Sequence, residues 1–380
     1  MIVLKKNYSG LSYIASNSKL NYDPPLVNLA GEYSSYAPPG ELSNLVVEAL
    51  NQNQKSNIDL DGYFPFREVI SKLYNNTYSY YYNPDTEITI CSGAEQAFAT
   101  AISAFVKEGD EVIVFEPSYC TYIPAIEANG GRPVYVQLKQ PDFHIDWDEV
   151  QKVITVNTKL IILNSPNHIT GSLLSSSDLD RLTKIINGTK ILILSDEIYE
   201  SIIFEGYEHQ SIARFPKLAE RAILISGTSK MLNTENWQLG YCLAPAKLSS
   251  DFRKMNHFQQ FSVNLPFQIA IANFLAGYEK IPSLGDYFEK KRNLLLQNLE
   301  KSKLTFVPSK GAYFQLFNYN EVSDLKDIDF CKQLLEMHNL NTTPTTIFYH
   351  DIHDSHYFRV NFARPDIDLK YANEILSKLT

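Results

Sequence analysis

The sequence predicts an α/β protein. We expect a large domain with a mainly parallel sheet covered by helices on both faces, and a smaller α+β domain from the two termini. Between about residues 85 and 245, short β-rich runs alternate with segments of helical periodicity. The runs are apolar throughout, which is typical of strands buried on both faces of a parallel sheet.

The predicted strands of the large domain follow one another at regular intervals. In order they read EITIC, EVIVF, PVYVQL, KLIILN, KILILSD, AILIS and GYCLAP. Residues 94–106 illustrate the connecting helices, because their apolar residues recur at helical spacing and Gly109 follows as a stop signal.

The pattern changes after Ala270. We predict a long helix over 287–301, strands in LTFVPS and AYFQLFNY, a helix near 330–338, a strand in YFRVNFA and a final helix. The sequence thus predicts a large domain over 45–272 and a small domain from 1–44 and 273–380.

The composition excludes several classes of protein. Of 380 residues, 44% are hydrophobic and 20% charged, which is ordinary for a packed protein and excludes disorder. The count of 34 Lys+Arg against 43 Asp+Glu gives a net charge of −9. Nucleic-acid binders usually have the opposite balance, and an acidic surface repels anionic lipid. We therefore expect no nucleic-acid or membrane partner.

The four cysteines indicate a reducing compartment. Cys91, Cys120, Cys242 and Cys331 form no C-x-x-C pair, and three of them lie in apolar stretches. We expect buried free thiols. The N-terminal apolar run is too short for a signal peptide, and no run is long enough to span a bilayer. The sequence predicts a cytoplasmic protein.

The familiar nucleotide-binding and hydrolase motifs are missing. The sequence has no G-x-G, no G-x-x-x-x-G-K-[ST], no G-x-S-x-G and no H-E-x-x-H. One group of side chains could ligate zinc, and it comprises His350, His353 and His356 with Asp351 and Asp354. A solvated loop before the strand at Phe358 is the favoured interpretation, so we predict no metal site.

Three strand ends carry polar residues, and ligands bind at the carboxyl ends of parallel strands. Ser92 and Gly93 open a helix, whose free backbone N–H groups can hold an anion. Asp196 ends an apolar strand, where a carboxylate needs a cation or several donors. Lys230 follows a buried strand, and partial desolvation would make its amine a nucleophile towards carbonyls.

Each strand end alone is ambiguous, because Ser-Gly and Asp often cap helices and loop lysines are usually solvated. Together, an anion cradle, an acid and a lysine suit an aldehyde cofactor with a phosphate and a ring nitrogen. That cofactor is pyridoxal 5′-phosphate. The lysine forms its Schiff base, and the acid keeps the ring nitrogen protonated.

The chain resembles the class I/II aminotransferases, which are fold-type I pyridoxal-phosphate enzymes, and is nearest the methionine and kynurenine (glutamine) aminotransferase branch. The most specific stretch is ICSGAEQAFATAISAFVKEGDEVIVFEPSYCTYIPAIEANGG. SDEIYE, TSK, NWQLGY and YFRVNF follow in the expected order. The resemblance covers nearly the whole chain.

The resemblance implies a role for each site residue. Lys230 would form the Schiff base and shuttle protons, Asp196 would pair with the pyridinium nitrogen, and Tyr199 would contact the phenolic oxygen. Tyr119 would stack on the ring. The remaining cofactor contacts would come from Ser92, Gly93, Ala94, Glu95, His168, Ser226, Ser229 and Gln238. The substrate would be bound by Gly31, His168 and Arg359, the last clamping its α-carboxylate.

Several positions depart from the family pattern. The usual phosphate-binding arginine is Gln238, a serine is Gly227, and the cross-dimer tyrosine is Asn57. His168 and Ile169 replace the Asn-Pro of the N-P-T-G motif. Losing one charge-assisted phosphate contact costs about 1.5–3 kcal/mol of cofactor binding.

The resemblance implies an aminotransferase, with its site at the interface of a homodimer. The many aromatic residues, and no evident second carboxylate-binding arginine, favour a neutral or aromatic L-amino acid with a 2-oxo acid as the partner substrate. Two alternatives stay open. One keeps the cofactor but changes the chemistry to a lyase, racemase or oxidase, and the other is a non-catalytic relative with weakened phosphate binding.

Overall fold

A computed structural model describes residues 26–52, 59–351 and 354–379. Asn57 and His353 lie outside the described residues. No helix in the described ranges is long and apolar enough to cross a membrane.

The secondary structure alternates strands and helices through the middle of the chain. The strands are β1 (Val27–Asn28), β2 (Ile88–Cys91), β3 (Glu111–Glu116), β4 (Arg132–Gln137), β5 (Thr158–Asn164), β6 (Leu192–Asp196), β7 (Ala222–Gly227), β8 (Gly240–Leu243), β9 (Phe314–Asn318), β10 (Leu340–Asn341), β11 (Thr343–Pro344) and β12 (Tyr357–Asn361). The α-helices are α1 (Gly40–Asn51), α2 (Phe64–Tyr78), α3 (Gly93–Phe105), α4 (Tyr122–Ala128), α5 (Trp147–Val153), α6 (Ser176–Ile185), α7 (Pro216–Ala219), α8 (Thr228–Met231), α9 (Ala246–Gln259), α10 (Leu265–Leu275), α11 (Gly285–Leu296), α12 (Asp327–His338) and α13 (Asp366–Leu376).

A seven-stranded sheet forms the centre of the molecule, with strand order β2-β8-β7-β6-β5-β3-β4. Strand β8 runs antiparallel to both of its neighbours, and the other pairings are parallel. The prediction of a mainly parallel sheet is confirmed, and all seven predicted runs form its strands.

Both faces of this sheet are buried. Along β3, Ile113 packs into one hydrophobic cluster, while Val112 and Val114 pack into another. Strand β5 repeats this alternation, with Ile161 in the same cluster as Ile113 and Leu160 in the same cluster as Val112. Because successive side chains of a strand point to opposite faces, uninterrupted apolar runs supply both clusters.

A separate cluster joins the beginning of the described chain to its end. Strand β1 pairs in parallel with β10, and β11, β12 and β9 form an antiparallel sheet. Val27, Phe288 and Phe358 belong to this group, which we call the terminal cluster. The prediction that a small α+β unit collects N-terminal and C-terminal segments agrees with these pairings.

Two elements after residue 270 differ from the prediction. The helix expected over 287–301 is α11, which ends at Leu296, because Asn298 adopts φ 60° and breaks the helical path before a short 3₁₀ turn. The strand expected in LTFVPS is absent from the described secondary structure, where Thr305 makes only an isolated bridge to Asn318. Pro308 lacks the N–H group that a longer ladder would need.

Candidate active site

Strand β2 leads directly into helix α3, whose N-terminus is open. Among the described residues, no side chain caps this helix, so the first N–H groups have no intrahelical or cap acceptor. Gly93 has φ +85°, and a Cβ there would lie 2.4 Å from Oε1 of Gln238. A Cβ on Gly240 would lie 2.6 Å from the carbonyl carbon of Gly93. Two glycines thus let the backbones meet beside the open helix end.

Asp196 is fully buried at the carboxyl end of β6. Its Oδ2 accepts the hydroxyl of Tyr122, and its Oδ1 accepts the backbone N–H of Ile198 at 3.2 Å. Nε2 of His168 lies 3.0 Å from the same Oδ2, but it has no aligned hydrogen bond among the described residues. A buried carboxylate is therefore oriented by donors, with an unsatisfied imidazole nitrogen beside it.

Aromatic rings surround His168. The centroid of its ring lies 4.6 Å from that of Tyr119 and 5.0 Å from that of Tyr199. The Tyr119 hydroxyl donates to the carboxylate of Glu95 in the first turn of α3. Burial raises the pKa of Tyr119 and Tyr199, so both phenols stay protonated and can donate hydrogen bonds.

Lys230 lies in α8, just after β7, with 13% of its side chain exposed. Its Nζ donates to Oε1 of Glu235 at 2.6 Å, to the carbonyl of Glu32 at 3.2 Å and to the Tyr313 hydroxyl. It also lies 5.4 Å from the centroid of the Tyr199 ring. The expected partial desolvation of this amine is present.

Arg359 projects from β12 and is buried. Its Nη1 donates to the carbonyl of His168 at 3.1 Å, and its Nη2 donates to the carboxylate of Glu32. The Cζ atom lies 4.1 Å from the ring centroid of Phe314 and 4.6 Å from that of Phe348. The two rings hold the guanidinium plane in place, and a carboxylate already occupies part of its fork.

Gly31 and Gln238 lie at the borders of this group. The carbonyl of Gly31 accepts the Asn361 side-chain amide at 2.6 Å, which ties the N-terminal segment to β12. Gln238 has φ 51°, and its Nε2 donates to the carbonyl of Glu235 at 2.6 Å. Its donor group is therefore engaged within its own turn.

The predicted serine contacts differ from one another. The Ser226 hydroxyl donates to Oε1 of Glu200 at 2.5 Å, so it belongs to a buried carboxylate cluster rather than to the open end of α3. Ser229 is half-buried beside Lys230, and its carbonyl accepts the N–H of Thr234 at 3.0 Å. Ser92 precedes the open helix, and its N–H donates to Gln260 at 2.9 Å.

Four contacting residues were missed from the sequence. Tyr122 had a signal, because it lies three residues after Tyr119 at helical spacing. Glu235 reaches Lys230 from a short 3₁₀ turn five residues further along the chain, so a nearby carboxylate was its signal. Tyr313 reaches Lys230 from the terminal cluster, and Glu32 reaches Arg359 from the N-terminal segment. These two contacts join distant segments and leave no local pattern.

Two histidines of the candidate zinc group lie beside protein carboxylates. Nδ1 of His350 lies 2.8 Å from Glu116, whereas His356 lies beside Asp354. Among the described residues, one group has metal-ligand spacing, with ligand atoms within 4.8 Å, and it comprises Glu197, Glu200 and His209. The Glu200 carboxylate instead accepts hydroxyl groups from Tyr74, Tyr78, Ser226 and Tyr241.

The donor set fits pyridoxal phosphate. The open end of α3 offers backbone N–H groups to a phosphate, and an added Cβ on Gly93 would collide with the Gln238 side chain beside it. Asp196 supplies a buried acceptor, Lys230 supplies an amine, and the orphaned His168 nitrogen has a donor or acceptor to spare. Gln238 stands where the family pattern has a basic side chain.

Known proteins share both the sequence pattern and the architecture. The family model for class I and II aminotransferases matches residues 30–376. Methionine aminotransferase of Escherichia coli is 34% identical over 371 residues, which cover 97% of this chain and 96% of that protein. Kynurenine–oxoglutarate transaminase of Dictyostelium discoideum is 28% identical over 401 residues, with 93% and 90% covered.

Solved structures give the same result. The crystal structure of the Escherichia coli methionine aminotransferase has a TM-score of 0.92 at 33% identity and covers 99% of this chain and 98% of that chain. N-succinyldiaminopimelate aminotransferase from Mycobacterium tuberculosis has a TM-score of 0.90 at 27% identity, with the same coverage. The chain belongs to the class I and II aminotransferases and is a pyridoxal-phosphate-dependent enzyme of that family.

Proposed function

We propose that the protein moves an amino group between a neutral or aromatic L-amino acid and a 2-oxo acid. The single observation that carries this proposal is the convergence of Lys230, Asp196 and Arg359. The first two lie at neighbouring strand ends of one sheet, and both Lys230 and Arg359 contact Glu32. An amine, a buried acid and a carboxylate clamp are what transamination of an α-amino acid requires.

Each of these groups has a defined task. Pyridoxal phosphate supplies an aldehyde and an electron-withdrawing ring. Lys230 would hold the aldehyde through Nζ, and its free amine could carry the substrate α-proton. Asp196 would pair with the ring nitrogen and keep it protonated, because a buried carboxylate interacts strongly with a cation.

Three aromatic or imidazole groups would orient the cofactor. Tyr119 would stack on the ring face, and the Tyr199 hydroxyl would donate to the phenolic oxygen. His168, whose Nε2 lies 3.0 Å from Asp196, stands where the family has asparagine. Its unsatisfied nitrogen is available to the cofactor or to the substrate carboxylate.

The phosphate would be held mainly by backbone. The N–H groups of Gly93, Ala94 and Glu95 open α3, and the helix dipole favours an anion there. Ser92, Ser229 and Gln238 add neutral groups at its border. With no arginine at position 238, we propose weaker phosphate binding than the family pattern provides.

The substrate preference follows from the ring-lined site and from the relatives. Arg359 lies between Phe314 and Phe348, and it would hold the α-carboxylate, with Gly31 close by in the N-terminal segment. Methionine aminotransferase and kynurenine–oxoglutarate transaminase, to which the chain is similar, are named for neutral and aromatic substrates. Both points support a neutral or aromatic donor.

We also propose that the protein is a homodimer with its site at the subunit interface. Phe258 and Phe261 are 88% and 69% exposed at the end of α9, and Gln260 between them accepts the N–H of Ser92 beside the open helix. Large exposed aromatic side chains next to a site favour a covering partner. Light scattering at micromolar concentration would report the mass of a dimer.

Domain boundaries and cellular location can also be proposed. We propose a large domain over 45–272 and a small domain from 1–44 and 273–380, supported by the terminal cluster, which joins both ends of the described chain. We propose a cytoplasmic location, supported by four buried free cysteines.

The function is tested with purified protein and added cofactor. Methionine, phenylalanine and aspartate are each incubated with a 2-oxo acid, and both products are measured by chromatography. We expect stoichiometric amino exchange with the first two donors, and none with Lys230→Ala. Ammonia release or racemisation without exchange would instead support a lyase, oxidase or racemase, and no turnover with retained folding would support the non-catalytic alternative.

A further inference from the structure

The Glu32 carboxylate occupies the group that would receive the substrate. Nη2 of Arg359 donates to Oε1 of Glu32, while Nη1 donates to the His168 carbonyl. Within the described ranges, no other carboxylate pairs with Arg359. The side chain of Arg359 is 1% exposed, so this ion pair is shielded from water on one side and is stronger than a surface pair.

Residue 32 is held in this position by its own backbone. Its carbonyl accepts Nζ of Lys230 at 3.2 Å and lies 2.8 Å from the Tyr313 hydroxyl. On either side, Asn361 donates to the carbonyls of Gly31 at 2.6 Å and Tyr33 at 2.9 Å. The carboxylate can therefore leave Arg359 by side-chain rotation, but the backbone that presents it is fixed.

We propose that Glu32 is a specificity-determining residue that competes with the substrate carboxylate for Arg359. This inference rests on the proposed function, in which Arg359 binds the α-carboxylate. A substrate must replace the charge-assisted hydrogen bond between Glu32 and Arg359 with one of its own, so the net gain in binding free energy is small. The apparent affinity for carboxylate ligands is reduced, because it is proportional to the fraction of protein in which Arg359 is free of Glu32.

The competition favours ligands that hold the fork with both carboxylate oxygens. A bidentate carboxylate makes two parallel bonds to a guanidinium, whereas Glu32 pairs with Nη2 alone. Ligands with a single neutral acceptor, such as an amide, cannot displace Glu32. The side chain thus lowers the affinity for α-carboxylates, whereas neutral analogues, which leave the fork to Glu32, bind independently of its charge.

Calorimetry on the cofactor-loaded protein tests this proposal without turnover. The probe is 3-phenylpropionate, which has a carboxylate and no amine, and its neutral analogue is 3-phenylpropanamide. Glu32→Gln keeps every backbone contact and removes the charge. We expect the dissociation constant of 3-phenylpropionate to fall about tenfold and that of the amide to stay unchanged. Glu41→Gln, an exposed site in α1, is the matched control.

The outcomes separate the inference from the proposed function. Unchanged or weaker carboxylate binding by Glu32→Gln overturns the competition while leaving transamination intact. A gain that persists in a Glu32→Gln, Arg359→Lys double variant also overturns it, because the gain must act through the guanidinium. Binding by neither protein would contradict the role of Arg359 itself. In steady-state assays, Glu32→Gln should lower KM with little change in kcat.

Discussion

Nε2 of His168 and Oδ2 of Asp196 lie 3.0 Å apart at the buried end of β6. The same oxygen accepts the Tyr122 hydroxyl, and the other oxygen accepts a backbone N–H. This arrangement orients one carboxylate towards the edge of the sheet where Lys230 also lies. Because the surroundings exclude water, its charge would act strongly on a cationic ring bound beside it.

Replacing this charge with a neutral group tests the role of Asp196. Asp196→Asn has the same shape, but it cannot stabilise a protonated ring nitrogen. We expect kcat for transamination to fall by about 100-fold or more, with a smaller change in KM. Steady-state kinetics measures this, and circular dichroism checks the fold. Asp180→Asn, on the exposed face of α6, should retain wild-type kinetics, and full activity of Asp196→Asn would contradict the assignment.

Restoring a positive charge beside α3 should tighten cofactor binding. Gln238 already has φ 51°, so arginine there adds no new backbone strain. We expect Gln238→Arg to lower the dissociation constant of pyridoxal phosphate by about tenfold, because a charge-assisted phosphate contact is gained.

An absorbance titration of the cofactor-free protein measures this constant directly. Gln297→Arg, at an exposed position after α11, adds the same charge far from α3 and serves as the control. Equal or weaker binding by Gln238→Arg would show that the phosphate does not lie beside residue 238.

Local sequence patterns predicted the sheet and its polar strand ends, because the buried strands are continuous apolar runs and three of them lead into polar residues. Asp196 and Lys230 could therefore be found without a structure. Glu32 and Tyr313 could not, since their contacts join segments far apart in the chain, whereas Glu235 lies five residues after Lys230 and was left unassigned. The resemblance places Ser226 with the cofactor because it neighbours position 227, where the family has a serine, but its hydroxyl donates to Glu200 instead.

A buried pair behind the site should stabilise the fold in a pH-dependent way. Glu197 accepts Ser195 at 2.7 Å and the N–H of Ile212 at 2.9 Å, and it lies 2.9 Å from Nε2 of His209. Burial opposes ionisation, but His209 and these donors outweigh it and lower the pKa of Glu197. A lowered native pKa stabilises the fold above the unfolded-state pKa, and this contribution is lost as the pH falls through the native value.

We expect Glu197→Gln to reduce the free energy of unfolding by about 3 kcal/mol at pH 7. The difference from wild type should begin to shrink below the ordinary glutamate pKa of about 4.3, where the unfolded-state carboxylate gains a proton, and should be lost as the pH falls through the lowered native pKa. Urea unfolding at several pH values measures both. A difference that is constant across this range would contradict the lowered pKa.

Cys120 lies beside Tyr119 but should not react with alkylating reagents. Burial, together with the carboxylates of Glu32 and Glu95, raises the pKa of its thiol to about 12. Since the thiolate is the nucleophile, we expect no labelling of Cys120 by iodoacetamide at pH 8, and labelling of all four cysteines in urea. Peptide mass spectrometry locates the label, and rapid modification of native Cys120 would refute this prediction.

The attachment point of the cofactor is the most direct test of the whole interpretation. Borohydride reduction of the loaded protein fixes any imine as a stable amine, and mass spectrometry of the digest then identifies the modified lysine. We predict a phosphopyridoxyl group on Lys230, together with loss of the cofactor's visible absorbance. Modification of a different lysine, or none, would contradict the assignment of Lys230 and the chemistry built on it.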